Sequence, residues 1–202
     1  RIDLIFLRYE SFRQYIRLYP VNTFLIAACI AMFIVLTATG GTGIFHLIEF
    51  GALTNVEGLN QVWRYITALF LHGSWSHLLF NMFALFVFAP PLERIFGHVR
   101  FALFYVVSGM FGNLAAVMLA GSDFWVGVGA SSAIYGIYGA YLYMTVFQRQ
   151  MLDQASRTTV YAILAMGLIH SFLVPNIGYW AHIGGLAAGF VFYKILGGKI
   201  AR

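Results

Sequence analysis

An apolar run of about twenty residues recurs six times along this chain, at 21–40, 72–92, 100–120, 131–148, 158–173 and 179–197. A helix of that length, rising about 1.5 Å per residue, covers the roughly 30 Å hydrocarbon layer of a bilayer. Inside lipid every backbone N–H and C=O must be paired within the protein, and unbroken apolar runs of this length satisfy that rule as helices. Only 9% of the 202 residues are charged and 61% are hydrophobic, whereas soluble domains carry about 25% charged residues. Such a chain has too little polar surface for water. It is expected to be an all-α integral membrane protein, multi-pass, with six transmembrane helices in one bundle.

The basic residues set the orientation. Arg1, Arg8, Arg13 and Arg17 precede the first run; Arg94 and Arg100 separate the second from the third; Arg149 and Arg157 separate the fourth from the fifth; Lys194, Lys199 and Arg202 close the chain. Only Arg64 falls on the other side. Basic residues collect on the cytoplasmic face, so both termini are expected there, and an even number of spans agrees. The formal net charge of +5 is thus topological, and no nucleic-acid partner is expected. Residues 1–20 interleave those arginines with Leu4, Phe6, Phe12 and Ile16, a basic amphipathic juxtamembrane segment suited to lipid headgroups. Residues 21–202 form the six-span domain. The chain begins at Arg1 and lacks a small-residue cleavage site, so it reads as the excised core of a longer protein. Cys29, the one cysteine, cannot form an internal disulfide.

Segments 41–71, 121–130 and 174–178 then face outside. The first is unusually long for a connection. It is half apolar yet carries His46, Glu49, Asn55, Glu57, Asn60 and Arg64, and is expected to sit partly embedded in the membrane.

Two polar residues stand out against this background. Ser131 opens the fourth run within Gly129-Ala130-Ser131-Ser132, and His182 lies near the start of the sixth. Reactive side chains inside spans are costly and point to function by default. Both follow an outside segment closely, so they share a depth. A serine hydroxyl becomes a nucleophile when a neutral histidine takes its proton. Taken singly, the serine reads as a small packing residue and the histidine as a hydrogen-bonded structural group; the matched depth favours a dyad. Ser132, Gly136 and Ala140 recur every four residues, as do Ala181, Gly185 and Gly189, and such stripes let membrane helices approach closely. Docked stripe on stripe, they bring Ser131 and His182 within reach, with Tyr135 packed against the imidazole. His77 and Asn81 share a face of the second span and offer N–H groups to an oxyanion beside the backbone N–H of Ser131; a helix-start histidine with a polar neighbour accounts for the pair equally well. A zinc site from His72, His77 and His182 lacks an HExxH motif or converging carboxylates, so no metal and no cofactor is expected. His46, His72, His98 and His170 read as ordinary interfacial histidines.

With these residues in order, the chain resembles the rhomboid family of intramembrane serine proteases over nearly its whole length. The matching residues are Trp63-Arg64; His77-Leu78-Leu79-Phe80-Asn81; Glu93-Arg94 with Gly97; Gly129-Ala130-Ser131 with Tyr135; and Ala181-His182-Ile183-Gly184-Gly185 with Gly189. The resemblance is to a six-span core of bacterial type and implies a bacterial cell membrane. It implies Ser131 as nucleophile and His182 as general base with no acidic third member, and His77 and Asn81 at the oxyanion. Trp63 and Arg64 would belong to a membrane-dipping loop, Glu93 and Arg94 would tie the cytoplasmic end of span two, and residues 174–178 would cap the site. Substrates would be transmembrane proteins, entering laterally near spans two and five and cut near the outer face; the oligomeric state is left open. The family usually places glycine directly after the nucleophile, and here Ser132 adds a hydroxymethyl group. A client-binding relative without proteolysis would lack the dyad, and a small transporter would show repeats or broken helices.

Overall fold

A computed structural model describes residues 5–59, 61–119, 121, 123–173 and 178–197. A short helix α1 (Phe12–Leu18) leads into α2 (Pro20–Thr39). The long connection that follows is folded, holding α3 (Ile44–Glu49), a two-residue strand β1 (Leu53–Thr54) and α4 (Arg64–Thr67), which closes in a 3-10 turn over Ala68–Phe70. Then come α5 (Trp75–Phe96), α6 (His98–Leu119), β2 (Val126–Gly127), α7 (Ser131–Phe147), α8 (Gln154–Leu173) and α9 (Tyr179–Gly197). The six long helices fall on the six apolar runs, with ends shifted by at most four residues. Among the described residues, α2, α5 and α6 are each long and apolar enough to cross a membrane on length and composition. α7 is shorter at 17 residues, and α8 opens on the polar run Gln154, Ser156, Arg157, Thr158 and Thr159. Phe24, Ile34, Phe80, Phe83, Leu103 and Met118 all point outward, which suits a lipid solvent and would be an aggregation hazard in water.

Two helix boundaries lie four residues beyond the apolar runs, each for a local reason. α5 continues through Pro90 and Pro91 to Phe96 rather than ending at 92. Pro90 has no N–H for the carbonyl four residues earlier, that of Phe86, and the Tyr15 hydroxyl of α1 donates to it at 3.2 Å. A neighbour thus satisfies the freed carbonyl, as buried prolines in membranes require. α8 starts at Gln154 rather than 158 because the Asp153 carboxylate accepts the Ser156 amide at 2.9 Å, an N-terminal cap.

Long-range polar contacts fasten the two ends of the bundle. At one end Glu93 is fully buried and accepts the amides of Val21 (3.0 Å) and Asn22 (2.9 Å), with His98 Nδ1 2.7 Å away. The carboxylate caps the start of α2, whose first amides have no helical partner; Arg94 is exposed. Phe6 packs edge-on against Phe88 and Tyr141, so the segment before α1 enters the core. At the other end β1 pairs antiparallel with β2, a small sheet in an otherwise helical molecule. Arg64 is buried, lies 4.5 Å over the Trp63 ring and donates to the carbonyls of Ile48 (2.7 Å) and Ala52 (3.0 Å). It clamps the long connection from within.

The centre is the α7–α9 pair. A Cβ built on Gly185 would stand 2.0 Å from the Ser132 carbonyl oxygen, and one on Gly189 would stand 1.9 Å from that of Gly136. These backbones touch, as the two small-residue stripes predict. The structure adds Gly139, where a Cβ would meet the Leu186 carbonyl oxygen at 2.1 Å.

Candidate active site

Ser131 is the first residue of α7, and the first intrahelical bond runs from the Ile134 amide to the Ala130 carbonyl at 3.0 Å. No side chain caps this end, so the amides of the first turn keep their donors for an incoming group. The approach is set by Gly129, whose φ of +123° lies in the region that favours glycine. Its amide is held by the Ala68 carbonyl at 2.8 Å. A Cβ at Gly129 would lie 2.6 Å from His77 Nε2 and 3.7 Å from Asn81 Nδ2. Glycine there lets the loop before the serine press against both side chains of α5.

From α9, His182 Nε2 lies 2.9 Å from Ser131 Oγ. The imidazole stacks on the Tyr135 ring, centroids 4.2 Å apart and planes within 7°. Its Nδ1 lies 2.7 Å from Ser171 Oγ on α8, which donates to the Gly167 carbonyl at 2.7 Å and has the Tyr135 hydroxyl 3.4 Å away. A Cβ on Gly167 would sit 2.5 Å from that hydroxyl, so glycine makes room for it. His182 is only 8% exposed, a dry setting in which hydrogen bonds to its ring matter more. On α5, Asn81 is buried and gives one amide proton to the His77 carbonyl at 2.9 Å. Among the described residues its second N–H makes no hydrogen bond.

Ser131, His182, Tyr135, His77, Asn81 and Gly129 therefore gather at one end of the bundle, with Gly185 and Gly189 supporting the seam beneath. Trp63 and Arg64 stand apart in the loop clamp. Residues 174–177 of the expected cap lie outside the described residues. Two residues escaped the sequence reading. Ser171 lies three residues before the outside segment 174–178, so the depth rule that paired Ser131 with His182 applied to it as well. His72, read as an interfacial histidine, is fully buried, its ring edge-on to His77 with centroids 5.0 Å apart. Ser132 is buried too, and its hydroxyl finds no partner among the described residues.

This is a helical membrane bundle with a serine–histidine contact at the head of its most tightly packed helix pair. A family model for the rhomboid domain matches residues 59–199. The rhomboid protein YdcA of Bacillus subtilis is 39% identical over 195 residues, covering 93% of this chain and 94% of its own length. The rhomboid protease GluP of the same organism is 36% identical over 181 residues, 88% of this chain and 35% of its own. The rhomboid protease GlpG of Haemophilus influenzae is 26% identical over 173 residues, 85% of this chain and 88% of its own. The chain belongs to the rhomboid family. Its class is therefore that of the intramembrane serine proteases, hydrolases that work within the bilayer.

Proposed function

We propose that this protein hydrolyses peptide bonds of transmembrane substrates near the outer face of the membrane through a Ser131–His182 dyad. The observation that carries this reading is the 2.9 Å contact between Ser131 Oγ and His182 Nε2, formed by residues 51 positions apart on two helices whose backbones touch. Ser131 Oγ attacks the scissile carbonyl as His182 Nε2 takes its proton. The negative charge that develops on the carbonyl oxygen meets the Ser131 amide, the free N–H of Asn81 and the His77 ring, donors fixed in place before the reaction begins. The tetrahedral adduct collapses, the C–N bond breaks, and His182 hands its proton to the departing amine. Water then repeats the sequence on the acyl-enzyme and frees Ser131. The stacked Tyr135 ring keeps the imidazole from turning out of line.

All six long helices cross the bilayer in this reading, with both termini cytoplasmic as the basic residues favour. Residues 1–20 are the juxtamembrane segment, of which Phe6 and Tyr15 pack into the bundle, and 21–202 form the catalytic domain. The bacterial relatives support a bacterial cell membrane. A fluorophosphonate probe is expected to label the intact protein at Ser131, and Ser131→Ala and His182→Ala are expected to abolish labelling and cleavage of a transmembrane model substrate. Equal labelling of Ser131→Ala overturns the dyad.

A further inference from the structure

The ring of His182 has two faces to its chemistry: Nε2 must be bare to take a proton from Ser131, so Nδ1 must carry the ring's one hydrogen. Among the described residues no carboxylate is hydrogen-bonded to His182. The partner of Nδ1 is a serine hydroxyl, which has one proton to give and two lone pairs to accept with. Ser171 lies 2.7 Å from the Gly167 carbonyl oxygen, and a carbonyl can only accept. The one proton of Ser171 is therefore spent along its own helix. Its lone pairs are left for His182 Nδ1 at 2.7 Å and the Tyr135 hydroxyl at 3.4 Å, both of which must donate.

We infer that Ser171 is a positioning residue that fixes the tautomer and the orientation of the general base. This inference rests on the dyad reading above. The chain of donors runs one way: Ser131 O–H to His182 Nε2, His182 Nδ1–H to Ser171 Oγ, Ser171 O–H to the Gly167 carbonyl. A Ser171 that donated to Nδ1 instead would abandon the Gly167 carbonyl and force the ring proton onto Nε2, where it would face Ser131 and block proton transfer. The back-bond to Gly167 is what prevents this. The same oxygen also receives the imidazolium Nδ1–H once Nε2 has taken the serine proton. Hydrogen bonds to a charged donor are roughly twice as strong as neutral ones, so the contact strengthens as the tetrahedral intermediate forms. A carboxylate does this in triad hydrolases; here a neutral hydroxyl on a third helix, α8, takes the place with smaller leverage.

The test compares the parent with Ser171→Ala and Ser171→Thr in detergent or bicelles. Ser171→Ala is expected to lower kcat on a transmembrane model substrate about tenfold with KM within about twofold, the size expected for losing one hydrogen bond that tightens in the transition state. Ser171→Thr keeps the hydroxyl and is expected to stay within about threefold of the parent; a packing role would instead be served by Ala and disturbed by Thr. Nitrogen-15 spectra of histidine-labelled protein are expected to show His182 protonated at Nδ1 in the parent and a shift toward the Nε2–H form in Ser171→Ala. Parent-like kcat in Ser171→Ala with an unchanged His182 tautomer, in a protein that still labels at Ser131, overturns the positioning role alone. Failure of the parent to label at Ser131 overturns the dyad reading instead.

Discussion

α9 carries the imidazole and α8 orients it, yet the two helices join the bundle in opposite ways. α9 meets α7 through glycines whose missing side chains let backbone touch backbone, with 1.9 Å and 2.0 Å where a Cβ would stand. Among the described side chains, four of α9 are exposed, whereas eleven of the 20 residues of α8 are, and the buried residues of α8 form the single stripe Ser156, Val160, Leu164 and Ser171. Close packing behaves as a hard constraint, because interiors are as dense as crystals and cannot yield smoothly. The Ser131–His182 separation is therefore set by the stiffest part of the molecule. The orientation of the ring depends on a helix held along a single edge. Distance and direction of the base are controlled by different parts of the fold.

Adding a single methyl to the stiff seam is the harshest test of this division. Gly185→Ala and Gly189→Ala each drive a Cβ into a facing carbonyl oxygen that belongs to helix backbone, so neither helix can give way without moving whole. Each is expected to cost about 3 kcal/mol, the upper range for overpacking, and to lower the melting temperature by about 6–12 °C. Cleavage is expected to fall about a hundredfold or more, the penalty for misplacing reacting groups by about 1 Å. Thermal unfolding and substrate turnover measure the two effects. A melting point within about 2 °C of the parent would mean that the seam is not the rigid element.

Loosening the edge-held helix should separate stability from activity. Leu164→Ala removes a buried side chain two turns below Ser171. Its stability cost is expected near about 2 kcal/mol, the low end for such truncations, because only one side of α8 is packed. Turnover is expected to fall several-fold as Ser171 spends less time on His182 Nδ1. A melting-point loss as large as that of Gly189→Ala would erase the distinction between the two helices and make α8 part of the rigid core.

This contrast also explains what could be read from the sequence. Small residues spaced four apart announce a close approach by themselves, so the α7–α9 seam and the Ser131–His182 meeting were legible from periodicity and depth. The clusters of α5 were legible in the same way, because His77 and Asn81 lie one turn apart on one helix. What was not legible depends on partners far along the chain. The Glu93 cap on α2 joins residues 71 and 72 apart, and the Tyr15 hydroxyl rescues a carbonyl 71 residues away. No local pattern encodes either. Ser171 falls between these cases. Its depth was readable, but a serine in a membrane helix usually satisfies itself on its own backbone, and Ser171 does that while also accepting from His182.

The mildest change probes Ser132, the seam residue at which the resemblance leads one to expect glycine. The Ser132 side chain lies beside Gly112 of α6, where an added Cβ would come within 2.8 Å of Ser132 Cβ. Gly112 makes the room that Ser132 occupies, and the contact with Gly185 uses the Ser132 carbonyl, which any residue supplies. Ser132→Gly removes a buried hydroxyl without a partner, a gain of about 1 kcal/mol, against about 0.5 kcal/mol of helix propensity and a small void. Stability and kcat/KM are expected to stay within about 1 kcal/mol and about threefold of the parent. The converse variant sharpens the point. Gly112→Ala also meets the Ala181 carbonyl oxygen at 2.6 Å and the Gly185 amide at 3.0 Å, so Ser132→Gly cannot rescue it, and the double variant is expected to remain as impaired as Gly112→Ala alone. Full rescue would mean that α6 and α9 can yield after all, and that the rigidity assigned to the seam belongs to α7 only.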